Sequence, residues 1–366
     1  MNTENKPCIS PFTFKLEDCL ACSACIADFS VPKIPTYTEL KDVPLTFLLS
    51  PHSKMNMYAH FNNHIMSFSD FEYHLISFIK LKFNVIKVYD TSYVKNILYD
   101  SVYEESTRDK IIISDCPGTV SYIERQAHHL IEYLSVTSTQ QQAIKLLAQG
   151  RSISVIQCYD KFLENSDDVL TTYDFYKMIL DLGFLQHNFI KGTCEKWEKC
   201  TIGYHYGYLE HILNKKNNYL TKNDSIKIFN SKNEEVRLNG KRKLNINTVT
   251  LNKINIPEID YKYKNGVFTY TQIKNNKKKK YLRILGLEPF LNFIKESKHK
   301  ELEYDVCEIY ICNQGCINGP GQLYTDNLYV NNSEYIDIDL GIDCKQLQKR
   351  TYRKIETKKV NFKIEW

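Results

Sequence analysis

Ile111-Ile112-Ile113-Ser114-Asp115-Cys116-Pro117-Gly118 is the stretch on which the fold turns. Three consecutive β-branched residues predict a short strand buried on both faces, and Pro117 with Gly118 enforces the turn after it. A cysteine therefore stands at the carboxyl end of a strand, where open α/β sheets gather their ligands. On either side, apolar runs alternate with helical stretches. Residues 43–49 read as a strand leading into a loop, 68–83 as a helix, 85–89 as a strand, 91–104 as a helix, and 152–158 as a strand that again ends in a cysteine. This alternation predicts a mostly parallel sheet with helices on both faces, and sets Cys116 and Cys158 at strand ends of one sheet.

The later half repeats the pattern. Residues 281–285 predict a strand, 289–296 a helix, and 306–311 a strand feeding Cys312-Asn313-Gln314-Gly315-Cys316-Ile317-Asn318-Gly319-Pro320-Gly321-Gln322. The glycines there leave the backbone without Cβ atoms, so amide N–H groups can approach whatever the two thiols hold. A lone pair of thiols at this spacing reads equally as structural, and Cys116 or Cys158 alone reads more readily as core than as a ligand. Lys161, three residues past Cys158, faces either an anionic group or solvent.

Near the start, Cys8 precedes Asp18-Cys19-Leu20-Ala21-Cys22-Ser23-Ala24-Cys25. Three cysteines with two residues between each let one short loop wrap three corners of a cubane iron-sulfur cluster, with a fourth cysteine closing it. Cys8 is the fourth candidate by elimination. A zinc knuckle is the alternative, although zinc sites more often pair their cysteines as two separate hooks.

The 366 residues suffice for two lobes with cores of their own. With 48 basic and 43 acidic residues the net charge is only +5, which carries no polyanion-binding signature. The lysine run at 277–280 reads as a solvated hairpin tip following a strand at 267–273, not as a nucleic-acid site. Twelve cysteines in so long a chain point to metal ligation rather than a disulfide scaffold. Cys194, Cys200, Cys307 and Cys344 match no ligand spacing and read as non-ligands. No apolar window reaches signal-peptide or membrane-span length, so a soluble intracellular protein is expected, without membrane contact.

Together, the N-terminal triad, Cys116-Pro117-Gly118, Cys158-Tyr159-Asp160-Lys161-Phe162-Leu163-Glu164, Cys312 to Gln322 and the tail Ile364-Glu365-Trp366 resemble the iron-only-hydrogenase-like family of cytosolic iron-sulfur protein assembly factors, which includes the nuclear prelamin A recognition factor-like proteins. The resemblance implies a two-lobed α/β fold with parallel sheets flanked by helices and a small N-terminal iron-sulfur segment. The expected division is 1–40 for that segment, 41–190 and 191–358 for the lobes, the second with a Lys/Asn-rich insertion, and 359–366 for a tail. It implies two 4Fe-4S clusters, one at Cys8, Cys19, Cys22 and Cys25 and one between the lobes at Cys116, Cys158, Cys312 and Cys316. It implies a link between scaffold ATPases and a targeting complex with a WD40 subunit, docked through Ile364, Glu365 and Trp366. The implied compartment is the cytoplasm, with the nucleus left open as an addition.

Some positions depart from the family pattern. Cys8 lies only eleven residues before Cys19, Thr119 stands where tryptophan is usual, Ile156-Gln157 where Met-Pro is usual, and Pro320 interrupts a glycine run. True iron-only hydrogenases, the alternative reading beside an electron-transfer iron-sulfur protein, place a proton-carrying cysteine directly before the position of Cys116. Here that residue is Asp115, so the resemblance implies a non-enzyme.

Overall fold

The computed structural model describes residues 34–61, 68–158, 161, 168–186, 207–217, 228–229, 235–236, 259–274, 277–298, 300–312, 315–319, 321–323, 347 and 349–354. Cys8, Cys19, Cys22, Cys25, Ile364, Glu365 and Trp366 lie outside the described residues, as do Cys194, Cys200 and Cys344.

Leu45–Leu49 (β1) is buried throughout and runs straight into Pro51–Phe61 (α1). Proline suits the first helical turn, whose N–H groups have no intrahelical acceptor. A helix thus replaces the loop expected after residue 49. Next come Phe68–Lys82 (α2), Val85–Asp90 (β2), a 3-10 turn at Thr91–Val94, Lys95–Arg108 (α3), Ile111–Ile113 (β3), Pro117–Gln126 (α4), Gln140–Lys145 (α5) and Arg151–Ile156 (β4). The chain continues through Asp168–Thr171 (β5), Thr172–Asp181 (α6), Tyr208–Asn217 (α7), Ile259–Lys264 (β6), Val267–Lys274 (β7), Lys277–Leu285 (β8), Leu287–Ser297 (α8) and Val306–Tyr310 (β9).

These strands form two sheets. The first, in the order β2-β1-β4-β5, is parallel throughout. The second, β3-β9-β8-β7-β6, is parallel across β3, β9 and β8 and antiparallel from β8 to β6. The expectation that the strands leading to Cys116 and Cys158 share one sheet is therefore corrected. Both ladder edges of β4 are taken, by β1 and β5, whereas β3 pairs with β9. Residues between 41 and 190 thus supply strands to both sheets. Lys277–Lys280 also differ from expectation, since they ladder with 271–274 as the start of β8.

Side-chain alternation sorts the cores. Leu45, Phe47 and Leu49 face Leu75, Ile79 and Phe175 of α2 and α6, while Leu48 points the other way, to Val94, Leu98 and Ile144. That second core also takes Ile111 and Ile113 of β3 and Tyr281 of β8, so a layer containing α3, α5 and α7 is shared by the two sheets. Ile112 turns to the far side, against Ile123 of α4 and Phe290 of α8. A three-residue strand buried on both faces is what this layering requires. Among the described residues no helix is long and apolar enough to cross a membrane.

Candidate metal centre

The carboxyl ends of β3, β4 and β9 each lead into a candidate cysteine. Cys116 is the N-cap of α4, with φ −91° and ψ 108°, and Pro117 fills the first helical position. The first turn of α4 thus begins directly at this cysteine. Cys158 closes the strand end after β4, and both Cys116 and Cys158 are 8% exposed. Cys312 follows β9, and Cys316 sits in the 3-10 turn Gly315–Asn318.

Cys316 feels groups from the ends of strands in both sheets. Burial pushes its thiol up to about 12, opposed by the nearby Lys161 ammonium and by a hydrogen bond from the Gln157 side chain, while Cys116 and Asp115 add to the rise. One cysteine thus has neighbours from the end of β3 and from the end of β4. The loop is pinned to β4 through its backbone, where Gly321 N donates to Gln157 O at 3.0 Å. It is pinned to α1 as well, because Asn56 Nδ2 donates to Leu323 O at 3.0 Å and accepts Leu323 N on Oδ1 at 2.7 Å.

The glycines of this loop serve a different purpose from the one expected. Gly315 N donates to Cys312 O at 2.9 Å and Gly319 N to Cys316 O at 3.2 Å, so these amides satisfy the loop itself. What glycine provides at 319 is close approach: a Cβ there would lie 2.3 Å from Gln157 O.

Lys161, open to two readings in the sequence, is 2% exposed. Its Nζ donates to Asp115 O at 3.3 Å and lies 3.5 Å from Gln141 Oε1. A buried charge pair stands further back in the second sheet, where Arg283 Nε donates to Glu308 Oε2 at 2.8 Å. Glu308 Oε1 accepts Tyr208 N and Tyr310 OH, each at 3.2 Å. Burial, Glu308 and Asp115 push the Tyr310 phenol well above its usual range. Tyr310 therefore stays a hydrogen-bond donor beside the site. Asp115 Oδ1 is buried and accepts no hydrogen bond from the described residues.

Residues 349–354 close the back of the Cys116 turn. The Arg350 guanidinium bonds Ser114 O, Arg350 N donates to Val136 O at 2.8 Å, and Tyr352 OH donates to Ser135 O. Cys307 lies within β9, fully buried among the residues packed against α4 and α8. Gln157, Ser50 and Asn56 are site residues that no spacing signals, because each acts through a partner distant in the chain.

The donor set fits an iron-sulfur group. Thiols are soft ligands, and the buried ammonium of Lys161 would offset the negative charge that four thiolates leave on a cubane. Among the described residues no three His, Cys, Asp or Glu converge closely enough for a single metal ion. A cubane gives each thiolate its own iron and so asks for a wider constellation.

Residues 44–320 match the family described as iron only hydrogenase large subunit, C-terminal domain. The chain is 32% identical over 394 residues to cytosolic Fe-S cluster assembly factor NAR1 of Encephalitozoon cuniculi, covering 99% of this chain and 98% of that one. It is 24% identical to cytosolic iron-sulfur assembly component 3 of Mus musculus, over 84% of this chain and 71% of the relative. In fold it is similar to a variant of FeFe-hydrogenase HydA1 from Chlamydomonas reinhardtii, with a TM-score of 0.54 at 13% identity over 84% and 85% of the two chains. With a family model spanning the two sheets and a relative alike from end to end, the chain belongs to the iron-only hydrogenase family defined by the C-terminal domain of the large subunit, among its cytosolic iron-sulfur assembly factors.

Proposed function

We propose that this protein is a non-catalytic component of cytosolic iron-sulfur protein assembly. In this reading Cys8, Cys19, Cys22 and Cys25 hold an outer 4Fe-4S cluster, and Cys116, Cys158, Cys312 and Cys316 hold an inner one. The tail Ile364-Glu365-Trp366 docks on the WD40 subunit of the targeting complex, scaffold ATPases stand on the supply side, and the protein works in the cytoplasm. The observation that carries the reading is the similarity to a cytosolic assembly factor across 99% of the chain.

When bound, such clusters supply one-electron chemistry and preformed iron-sulfide units. The chain's own residues supply the rest. Strand ends from two sheets position the inner thiols, Lys161 balances their charge, and burial of Cys116 and Cys158 limits exchange with solvent. Asp115 supports the non-enzyme reading, because hydrogenases carry a proton-relaying thiol at that position.

The test is anaerobic purification with iron, acid-labile sulfide and reduced-state EPR measured for the parent, Cys22→Ala and Cys316→Ala. The expected result is about eight iron and eight sulfide per chain, falling by about half in each variant. Zinc without sulfide, or hydrogen evolution above background, would overturn the proposal.

A further inference from the structure

Gln157 is 4% exposed and stands between the end of β4 and Cys158. Burying a primary amide is unfavourable unless both its ends are hydrogen-bonded. One end is settled by Ser50, at the carboxyl end of β1, whose Oγ donates to Gln157 Oε1 at 2.9 Å. With the oxygen engaged by an O–H donor, the amide turns its N–H groups to the other side, toward the Cys316 thiol, whose upward shift the Gln157 side chain opposes. The reverse orientation would set an amide oxygen against a thiolate, so both contacts select the same rotamer. The backbone of this residue grips the same loop, since its carbonyl accepts Gly321 N at 3.0 Å and leaves no room for a Cβ at Gly319.

We infer that Gln157 is a positioning residue of the inner site: its amide, oriented by Ser50, donates to the Cys316 sulfur, while its carbonyl fixes the loop that carries this cysteine. The inference rests on the reading of Cys316 as a cluster ligand. A proline at 157 would keep the carbonyl and lose the donor, so glutamine adds an N–H that the usual family residue does not supply. A hydrogen bond to a ligating thiolate withdraws negative charge and favours the more reduced, more negative state of the group it holds.

The test uses the full chain, purified anaerobically, as parent, Gln157→Leu and Ser50→Ala. Iron per chain, the EPR-monitored reduction of the inner signal, and the loss of exchangeable-proton hyperfine coupling in deuterated buffer are compared. Leucine conserves volume and the backbone carbonyl, so the iron count is expected to hold. The reduced-to-oxidised ratio at fixed potential is expected to fall about tenfold, a shift of about 59 mV for one electron, with one exchangeable coupling lost. Ser50→Ala, which frees the amide to rotate, is expected to shift the ratio in the same direction by less, and it carries the test if Gln157→Leu fails to fold. Retained iron with unchanged ratio and unchanged coupling would overturn the inference. An inner EPR signal insensitive to Cys316→Ala would instead overturn the ligand assignment beneath it.

Discussion

The ammonium of Lys161 donates to the backbone carbonyl of Asp115 at 3.3 Å, tying the chain beyond β4 to the turn in front of Cys116. Because Lys161 is buried, its charge is poorly screened and acts strongly on whatever the neighbouring thiols hold. Lys161→Met keeps the apolar stem and removes the charge. Loss of one charge-assisted hydrogen bond is worth about 1.5–3 kcal/mol. Iron at the inner site should therefore leave about tenfold faster or more under a chelator, measured as a release time course against the parent. An unchanged rate would remove Lys161 from the site.

Gly319 and Gly315 make different demands. At Gly319 an added Cβ would meet the Gln157 carbonyl at 2.3 Å, so Gly319→Ala must displace the Cys316 loop from β4. Overpacking of this kind costs about 1–3 kcal/mol, and the inner-site iron should fall with it. At Gly315 the φ of +74° is the obstacle, since an added Cβ would make only ordinary van der Waals contact, 3.7 Å from Leu285 Cδ2. Gly315→Ala should cost about 1–2 kcal/mol in stability with iron largely retained. Urea unfolding and iron counts on both variants separate the two effects.

Cys307 is the internal control for the ligand set. Burial, with a contribution from Asp305, pushes its thiol well above the usual range. It should stay unlabelled when the native protein is treated with iodoacetamide and read by mass spectrometry. Cys307→Ala should lower stability by about 1 kcal/mol, since little volume is lost, and leave the iron count at the parent value.

Lys54 of α1 lies buried between Glu72 of α2 and Asp90 of β2, the latter at 2.5 Å. Burial alone lowers its pKa, but Asp90 and Glu72 outweigh that, and the net shift is upward from 10.5. A lysine raised in the folded state contributes stability that is fully present below the unfolded value and is lost as pH climbs through the folded one. Lys54→Met strands two buried carboxylates and should cost about 3–5 kcal/mol near neutral pH. The gap between parent and variant in urea unfolding should hold steady up to pH 10.5 and narrow above it.

Much of the secondary structure was legible because its apolar periodicity is local. Strands at 85–89, 281–285 and 306–311 and helices at 68–83 and 289–296 correspond closely to β2, β8, β9, α2 and α8. Helix α1 was hidden because Ser53, Lys54 and Asn56 are buried polar residues. Their partners are Val155, Glu72 and Leu323, which no local pattern reveals. The sheet assignment of β3 was hidden too, because three isoleucines suit any doubly covered slot. What selects the slot is the pairing of Ile111 with Val306. Of the site, the cysteines stood out by spacing and strand position. Gln157, Ser50 and the buried state of Lys161 did not, since a buried polar group is intelligible only with its partner in view.

The pairing of β3 with β9 also sets an order of events during synthesis. Every strand of the first sheet has been made once Thr171 is added, so that sheet can close early. β3 must wait for residues 306–308 before its ladder exists, a non-local contact of the kind that slows folding. A nascent chain halted before Val306 carries Cys116 and Cys158 without Cys312 or Cys316. The four candidate cysteines can therefore be assembled only after Cys316 has been made, and a product cut short before it cannot complete the proposed set.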